Sequence, residues 1–165
     1  MSSTPERPAI TAAVLTVSDS VSTGSRKDLS GPAVVSALQT QGYTVVTSEV
    51  VPDERTHIEN ALARLCNHAR LVVTTGGTGI ATRDVTPEAT RSVCDRVIEG
   101  LAEHMRAEGA KKTPMAVLSR AVCASRGTTL VVNLPGSPKG ATESLAAVID
   151  LLPHALNLLS GNTEH

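Results

Sequence analysis

Short apolar runs recur along the chain, and each stops at a polar, acidic or glycine-rich cluster. Residues 10–17 alternate small and apolar side chains and end at Ser18, Asp19 and Ser20. Residues 43–51 end in Pro52, Asp53 and Glu54, and residues 71–75 run straight into Gly76, Gly77, Thr78 and Gly79. Residues 128–134 lead into Pro135, Gly136, Ser137, Pro138 and Lys139. Runs this brief, bounded at once by turn formers, read as strands rather than helices. Between them the apolar spacing becomes helical. Ile58, Leu62 and Leu65, with Ala61 and Ala69 beside them, form one apolar face. Residues 100–112 and 114–118 also read as helical, with Gly109 and Pro114 as breaks. The apolar tail 141–160 is helical and restarts at Pro153, since proline is tolerated in a first turn. Its face of Leu145, Val148, Ile149, Leu152 and Leu156 is broad enough to cover a sheet and leave surplus for a subunit interface.

Strands alternating with helices imply parallel pairing through right-handed crossovers. Residues 122–125 add a short strand that turns back across Arg126 and Gly127 onto 128–134, so some antiparallel pairing is expected. The predicted architecture is an α/β fold, a three-layer αβα sandwich on a mainly parallel sheet. In such sheets the carboxyl ends of the strands share one rim where ligands bind. The polar strand ends should therefore converge on one cleft.

At 165 residues the chain is expected to form one domain over 1–165, with an ordered core of about 9–160 and loose ends at 1–8 and 161–165. That length suffices to bury roughly 68–70% of the unfolded surface. A net charge of −1 and a pI near 6.5 lack the basic footprint of a nucleic-acid binder. Tyr43 is the sole aromatic residue, so base-stacking platforms are absent and any bound ring must rest on aliphatic groups, backbone or Tyr43. Residues 1–8 are polar and no apolar run approaches the ~18 residues of a membrane span, so neither a secretory signal nor a span is expected. Cys66, Cys94 and Cys123 show no Cys-x-x-Cys spacing and read as reduced, small apolar groups suited to the cytoplasm. His57, His68, His104, His154 and His165 show no metal-ligand spacing.

The candidate chemistry centres on residues 71–88. Glycine allows a backbone to approach an anion closely, so Gly76, Gly77 and Gly79 can build a phosphate nest or form a plain turn. Asp84 offers a hard oxygen ligand of the kind Mg²⁺ shares with phosphate oxygens. Thr86 suits an N-cap and Pro87 the first helical position, so a helix should start there with its positive dipole end toward the loop.

The run from Thr74 through Gly79 to Arg83, Asp84, Val85, Thr86, Pro87 and Glu88, joined by Leu118, Ser119 and Arg120 and by Asn133 to Ser137, resembles the molybdenum-cofactor biosynthesis family that contains molybdopterin adenylyltransferase. The likeness extends over about 12–160 and includes the plant enzyme's matching domain and the N-terminal domain of gephyrin. It implies a molybdopterin-binding fold, a reaction of ATP with molybdopterin giving adenylylated molybdopterin and pyrophosphate, a need for Mg²⁺ or another divalent cation, and a homotrimer. It also implies transient contact with a molybdenum insertase. The same resemblance makes Asp84 and Asp53 catalytic metal ligands, although Asp84 also suits a plain charge at a helix N-terminus and Asp53 an ordinary helix entrance. Thr75, Gly76, Gly77, Thr78 and Gly79 become phosphate contacts, as do Pro135, Gly136, Ser137 and Lys139 for pterin or phosphate. Ser18 and Asp19 match a segment that contacts nucleotide, while Asp19 equally suits a loop cap. Ser119 and Arg120 match a motif whose Arg either grips phosphate or forms a structural ion pair. Arg26 and Lys27, in a polar loop over 18–31, are either part of a mobile lid or a solvated pair. A non-catalytic molybdopterin-binding paralogue is the alternative within the family.

Overall fold

The computed structural model describes residues 9–163; the expected loose end at 1–8 and the last two residues lie outside the described residues. Among the described residues, seven helices and six strands follow in the order β1 (Thr11–Val17), α1 (Asp19–Ser22), α2 (Ser30–Thr40), β2 (Thr44–Val51), α3 (Arg55–Leu65), β3 (Leu71–Thr75), α4 (Thr86–Val93), β4 (Arg96–Val97), α5 (Glu99–Ala110), β5 (Cys123–Arg126), β6 (Thr129–Leu134), α6 (Pro138–Val148) and α7 (Leu152–Leu159). A 3₁₀ turn at Pro114–Leu118 follows α5, where a helix was expected. Thr113 caps it and proline opens it, and such turns stay short because their hydrogen-bond geometry is poorer.

The strands form one sheet in the order β2-β1-β3-β6-β5-β4. β2, β1, β3 and β6 run parallel, and β5 and β4 add antiparallel pairs at one side. β3 lies in the centre with every residue buried, the polar Thr74 and Thr75 included. β4 has only two residues, too few for a periodic signal.

Two apolar clusters sit on opposite faces of the sheet, which makes the three layers. Val14, Val73 and Val132 meet Val34, Leu38, Leu101, Leu145, Leu152 and Leu156 from α2, α5, α6 and α7. On the other face Ala13, Leu15, Val72 and Val131 meet Ile58, Leu62 and Leu65 of α3 and Ala89 of α4. Alternate residues of β1 serve the two clusters, which is the period-two geometry of a strand. Tyr43 closes the first cluster at the foot of β2. No helix among the described residues is long and apolar enough to cross a membrane.

Register aligns Val17 with Val51, Thr16 with Thr75, and Thr75 with Leu134. The carboxyl ends of four parallel strands therefore finish level with one another. All the glycine-rich and acidic clusters follow from that one rim.

Candidate active site

Gly76 is the pinch point of the rim. Its φ of +93° is a conformation that L side chains rarely adopt, and an added Cβ would lie 2.2 Å from the Val17 carbonyl oxygen. Its N–H donates to the Leu134 carbonyl at 3.1 Å. The expected phosphate nest thus loses this donor, because the neighbouring strand end already takes it. Gly77 is needed for close approach, since a Cβ there would meet Thr86 Oγ1 at 2.3 Å and Asp53 Oδ1 at 3.3 Å.

Thr86 departs from its expected role. α4 begins at Thr86 with Val85 in the capping position, and no side chain caps it. The buried Thr86 hydroxyl donates instead to the Gly76 carbonyl at 3.0 Å, while its N–H donates to the Gly77 carbonyl at 3.1 Å. A buried carbonyl costs free energy if left unpaired, so the threonine staples the glycine loop to α4 rather than serving its own helix. The staple is backed by a buried chain of hydrogen bonds. Thr90 Oγ1 donates to the Thr86 carbonyl at 2.8 Å, and Asn133 Nδ2 donates to Thr90 at 3.0 Å and to Thr74 at 3.1 Å.

Two clefts open on either side of this loop. One, of about 410 Å³, is polar and carries Ser18, Asp53, Thr75, Gly76, Gly77, Asp84, Gly136 and Ser137 among its walls. The other, of about 570 Å³, holds Thr78, Gly79, Ser119 and Pro135 together with Ile80, Met115 and Leu118. Ile80 is 71% exposed and Met115 65%, so this wall offers aliphatic surface to solvent where no aromatic residue is present to cradle a ring. Gly77, Asp84, Gly136 and Ser137 border both clefts, so a ligand in either would meet its neighbour there.

The carboxylates are arranged unequally. Asp53 Oδ2 accepts from the Asp19 N–H at 2.9 Å, and the Asp53 N–H donates to Asp19 Oδ1 at 3.0 Å. Asp19 is further gripped by Arg83, whose Nε donates at 2.6 Å and Nη2 at 3.0 Å, and Arg83 also reaches Glu54 at 2.9 Å. The Arg83 guanidinium holds the Asp19 carboxyl below the usual range. Burial pushes the Asp53 carboxyl up, and the charges of Asp19 and Asp84 push the same way. Asp84 Oδ2 accepts from the Ala81 N–H at 3.0 Å, which fixes the turn that carries it. Asp53 and Asp84 therefore line the same polar cleft, and two hard oxygen donors there would suit a divalent cation. Among the described residues no third His, Cys, Asp or Glu joins them in a metal-binding group.

Three other expected site residues lie off both cleft walls. Asp19 is turned to Arg83. Arg120 donates to the Gly79 carbonyl at 2.7 Å and the Asp84 carbonyl at 2.7 Å and pairs with Glu88, so it clamps the loop of residues 79–84 to α4. Lys139 has a side chain 87% exposed, 4.0 Å from Glu143. Ser18 caps α1 through the Val21 N–H, Ser119 Oγ accepts from the Ala121 N–H, and Ser137 caps α6 through the Gly140 N–H. Thr75 shares a hydrogen bond with Ser30 at 2.9 Å.

The segment 18–31 is not the open loop expected. It contains α1 and the first two residues of α2, and the connection between them brings Arg26 and Lys27 to the polar cleft. Asp28 joins them there, and sequence reasoning missed it. Its carboxylate accepts from Thr16 Oγ1 and from the Gly31 N–H, each at 2.9 Å. The signal was the Asp placed three residues ahead of Gly31 at a helix start.

Comparison with known proteins gives one consistent result. Residues 13–154 match a family described as "Probable molybdopterin binding domain". The molybdopterin adenylyltransferase of Helicobacter pylori strain J99 is 43% identical over 153 residues, which are 90% of this chain and 87% of that protein. The molybdopterin adenylyltransferase of Escherichia coli K12 is 38% identical, over 90% of this chain and 84% of its own. The crystal structure of the molybdopterin biosynthesis enzyme MoaB from Thermus thermophilus superposes with a TM-score of 0.87 at 49% identity, covering 92% of this chain and 97% of that one.

Proposed function

Because the chain belongs to this molybdopterin-binding family, we propose that it is a molybdopterin adenylyltransferase, converting ATP and molybdopterin into adenylylated molybdopterin and pyrophosphate. The observation that carries the reading is the junction of two clefts, one polar and one aliphatic, at Gly77, Asp84, Gly136 and Ser137. A phosphate chain suits the polar side and a ring system the aliphatic side. Their reacting groups would meet at the shared border.

In this reaction an oxygen of the terminal phosphate of molybdopterin attacks the α-phosphorus of ATP. A P–O bond forms, the bond to the β-phosphate breaks, and its electron pair leaves with pyrophosphate. The attacking oxygen is already ionised at neutral pH, so no strong base is required. Catalysis is then positioning and charge neutralisation. Bringing unit charges to about 4 Å costs on the order of 4 kcal/mol at an effective dielectric of 20. Mg²⁺ would supply that neutralisation when bound. Asp53, tied to Asp19, and Asp84, tied to the Ala81 N–H, would hold it. Ser137 and the first turn of α6 orient phosphate oxygens at the border.

A homotrimer is the assembly we propose, and the exposed Leu151, Leu158 and Val117 supply apolar surface for it. The product would pass to a molybdenum insertase. Unpaired Cys66, Cys94 and Cys123, whose thiols burial pushes up to about 11, 12 and 12, suit the cytoplasm. Incubating the protein with molybdopterin, ATP and Mg²⁺ should yield adenylylated pterin by mass spectrometry. A chain that binds the pterin and makes no adduct would be a molybdopterin-binding paralogue instead.

A further inference from the structure

Arg26 and Lys27 lie in the connection between α1 and α2, at the wall of the polar cleft. That connection is tied at both ends. On one side the Ser20 carbonyl accepts from the Arg26 N–H at 3.0 Å, from Ser25 Oγ at 3.0 Å and from Thr23 Oγ1 at 3.3 Å. On the other side Asp28 is held by Thr16 and by the Gly31 N–H. The two cationic side chains thus rise from a pinned backbone, so engaging a ligand costs their rotamer freedom but little backbone entropy.

The remaining charged residues of the cleft are Asp28, Asp53 and Asp84. By themselves these carboxylates would repel a polyphosphate. A divalent cation at Asp53 and Asp84 would offset charge beside the glycine loop alone. The outer phosphates of a nucleotide need counter-charge of their own, and Arg26 and Lys27 are the cationic residues that this wall supplies. Arg offers a planar fork for two phosphate oxygens and Lys a compact point charge.

We propose that Arg26 and Lys27 form a polyphosphate subsite that holds the β- and γ-phosphates of a nucleoside triphosphate, the part that leaves as pyrophosphate. This rests on the adenylyl-transfer reading above. The pair adds affinity for the nucleotide and none for the pterin, which distinguishes it from the aspartates and the glycine loop.

The test uses inorganic tripolyphosphate with Mg²⁺ as a probe, titrated calorimetrically into the wild-type protein and into the double variant R26Q/K27Q, alongside steady-state kinetics. Both residues are exposed, so folding and melting temperature should be unchanged. The double variant should lose roughly tenfold or more in tripolyphosphate affinity and raise the KM for ATP by a similar factor, with the KM for molybdopterin unaltered. The exchange variant R26K/K27R should restore most of both. Wild-type binding should weaken steeply with added salt. A double variant with wild-type tripolyphosphate affinity and KM for ATP overturns the proposal. A wild-type protein that binds tripolyphosphate through the pair and makes no adenylylated pterin supports the subsite and overturns adenylyl transfer.

Discussion

Replacing Gly76 by alanine isolates the backbone contact on which the strand-end rim is built. Two costs add. The φ of +93° disfavours any L side chain by roughly 1–2 kcal/mol. The new Cβ also falls 2.2 Å from the Val17 carbonyl oxygen, a backbone atom that cannot swing aside as a flexible side chain would. Relieving that overlap means displacing the end of β1 from β3, with a penalty of about 1–3 kcal/mol by analogy with overpacked cores. Gly42→Ala is the matched control, since its φ is +88° and a Cβ there meets nothing within 4 Å. The control should lose about 1–2 kcal/mol and Gly76→Ala about 2–5 kcal/mol. For a chain of this size each kcal/mol lowers Tm by roughly 2–4 °C. Far-UV circular dichroism under urea and heat is the assay, because Tyr43 alone gives a weak near-ultraviolet signal. Equal destabilisation of the two variants would refute the argument from backbone contact.

Three further outcomes follow from the site. Asp84→Asn keeps shape and loses charge, so turnover should fall a hundredfold or more, about 3–4 kcal/mol of transition-state stabilisation, with the fold intact by circular dichroism; near-normal turnover would remove Asp84 from the chemistry. Burial raises the Asp53 carboxyl above its unfolded value, so ionising it costs stability, a cost absent below the ordinary carboxylate range and growing as pH rises through the folded pKa. Asp53→Asn should therefore raise Tm at pH 7, lose that gain in acid, and depress turnover; an unchanged Tm difference across pH would contradict the assignment. Protein mixed with molybdopterin and ATP and then desalted should retain near-ultraviolet ligand absorbance that prior chelation of Mg²⁺ prevents, and identical retention with and without chelator would speak for a non-catalytic pterin binder.

Much of the fold was legible because it depends on local chemistry. The short segment 71–75, bounded at once by glycines, read as a buried strand, and β3 occupies those residues. The acidic or glycine-rich clusters after 17, 51, 75 and 134 marked the strand ends, and parallel pairing then required them to share a rim. The hairpin was likewise announced by Gly127, although the turn falls on Gly127 and Thr128, one residue later than expected, because Arg126 stays in β5 and pairs with Thr129. The sequence by itself thus determined the layers, the parallel core and the edge on which a site must lie. Only the tertiary structure decided which partner each polar group takes. Thr86 has the residue type of an N-cap, yet it bonds the glycine loop because that loop is folded against it. Gly76 offers an N–H like any nest glycine, yet Leu134 of a strand far away in sequence claims it. Arg120 meets Glu88 and two loop carbonyls, and Arg26 and Lys27 reach the polar cleft because the Arg26 N–H is tied to Ser20 and Asp28 to Thr16 and Gly31. Element type follows from neighbours a few residues apart, whereas hydrogen bonds and charge pairs are assigned by whatever the folded chain brings within about 3 Å.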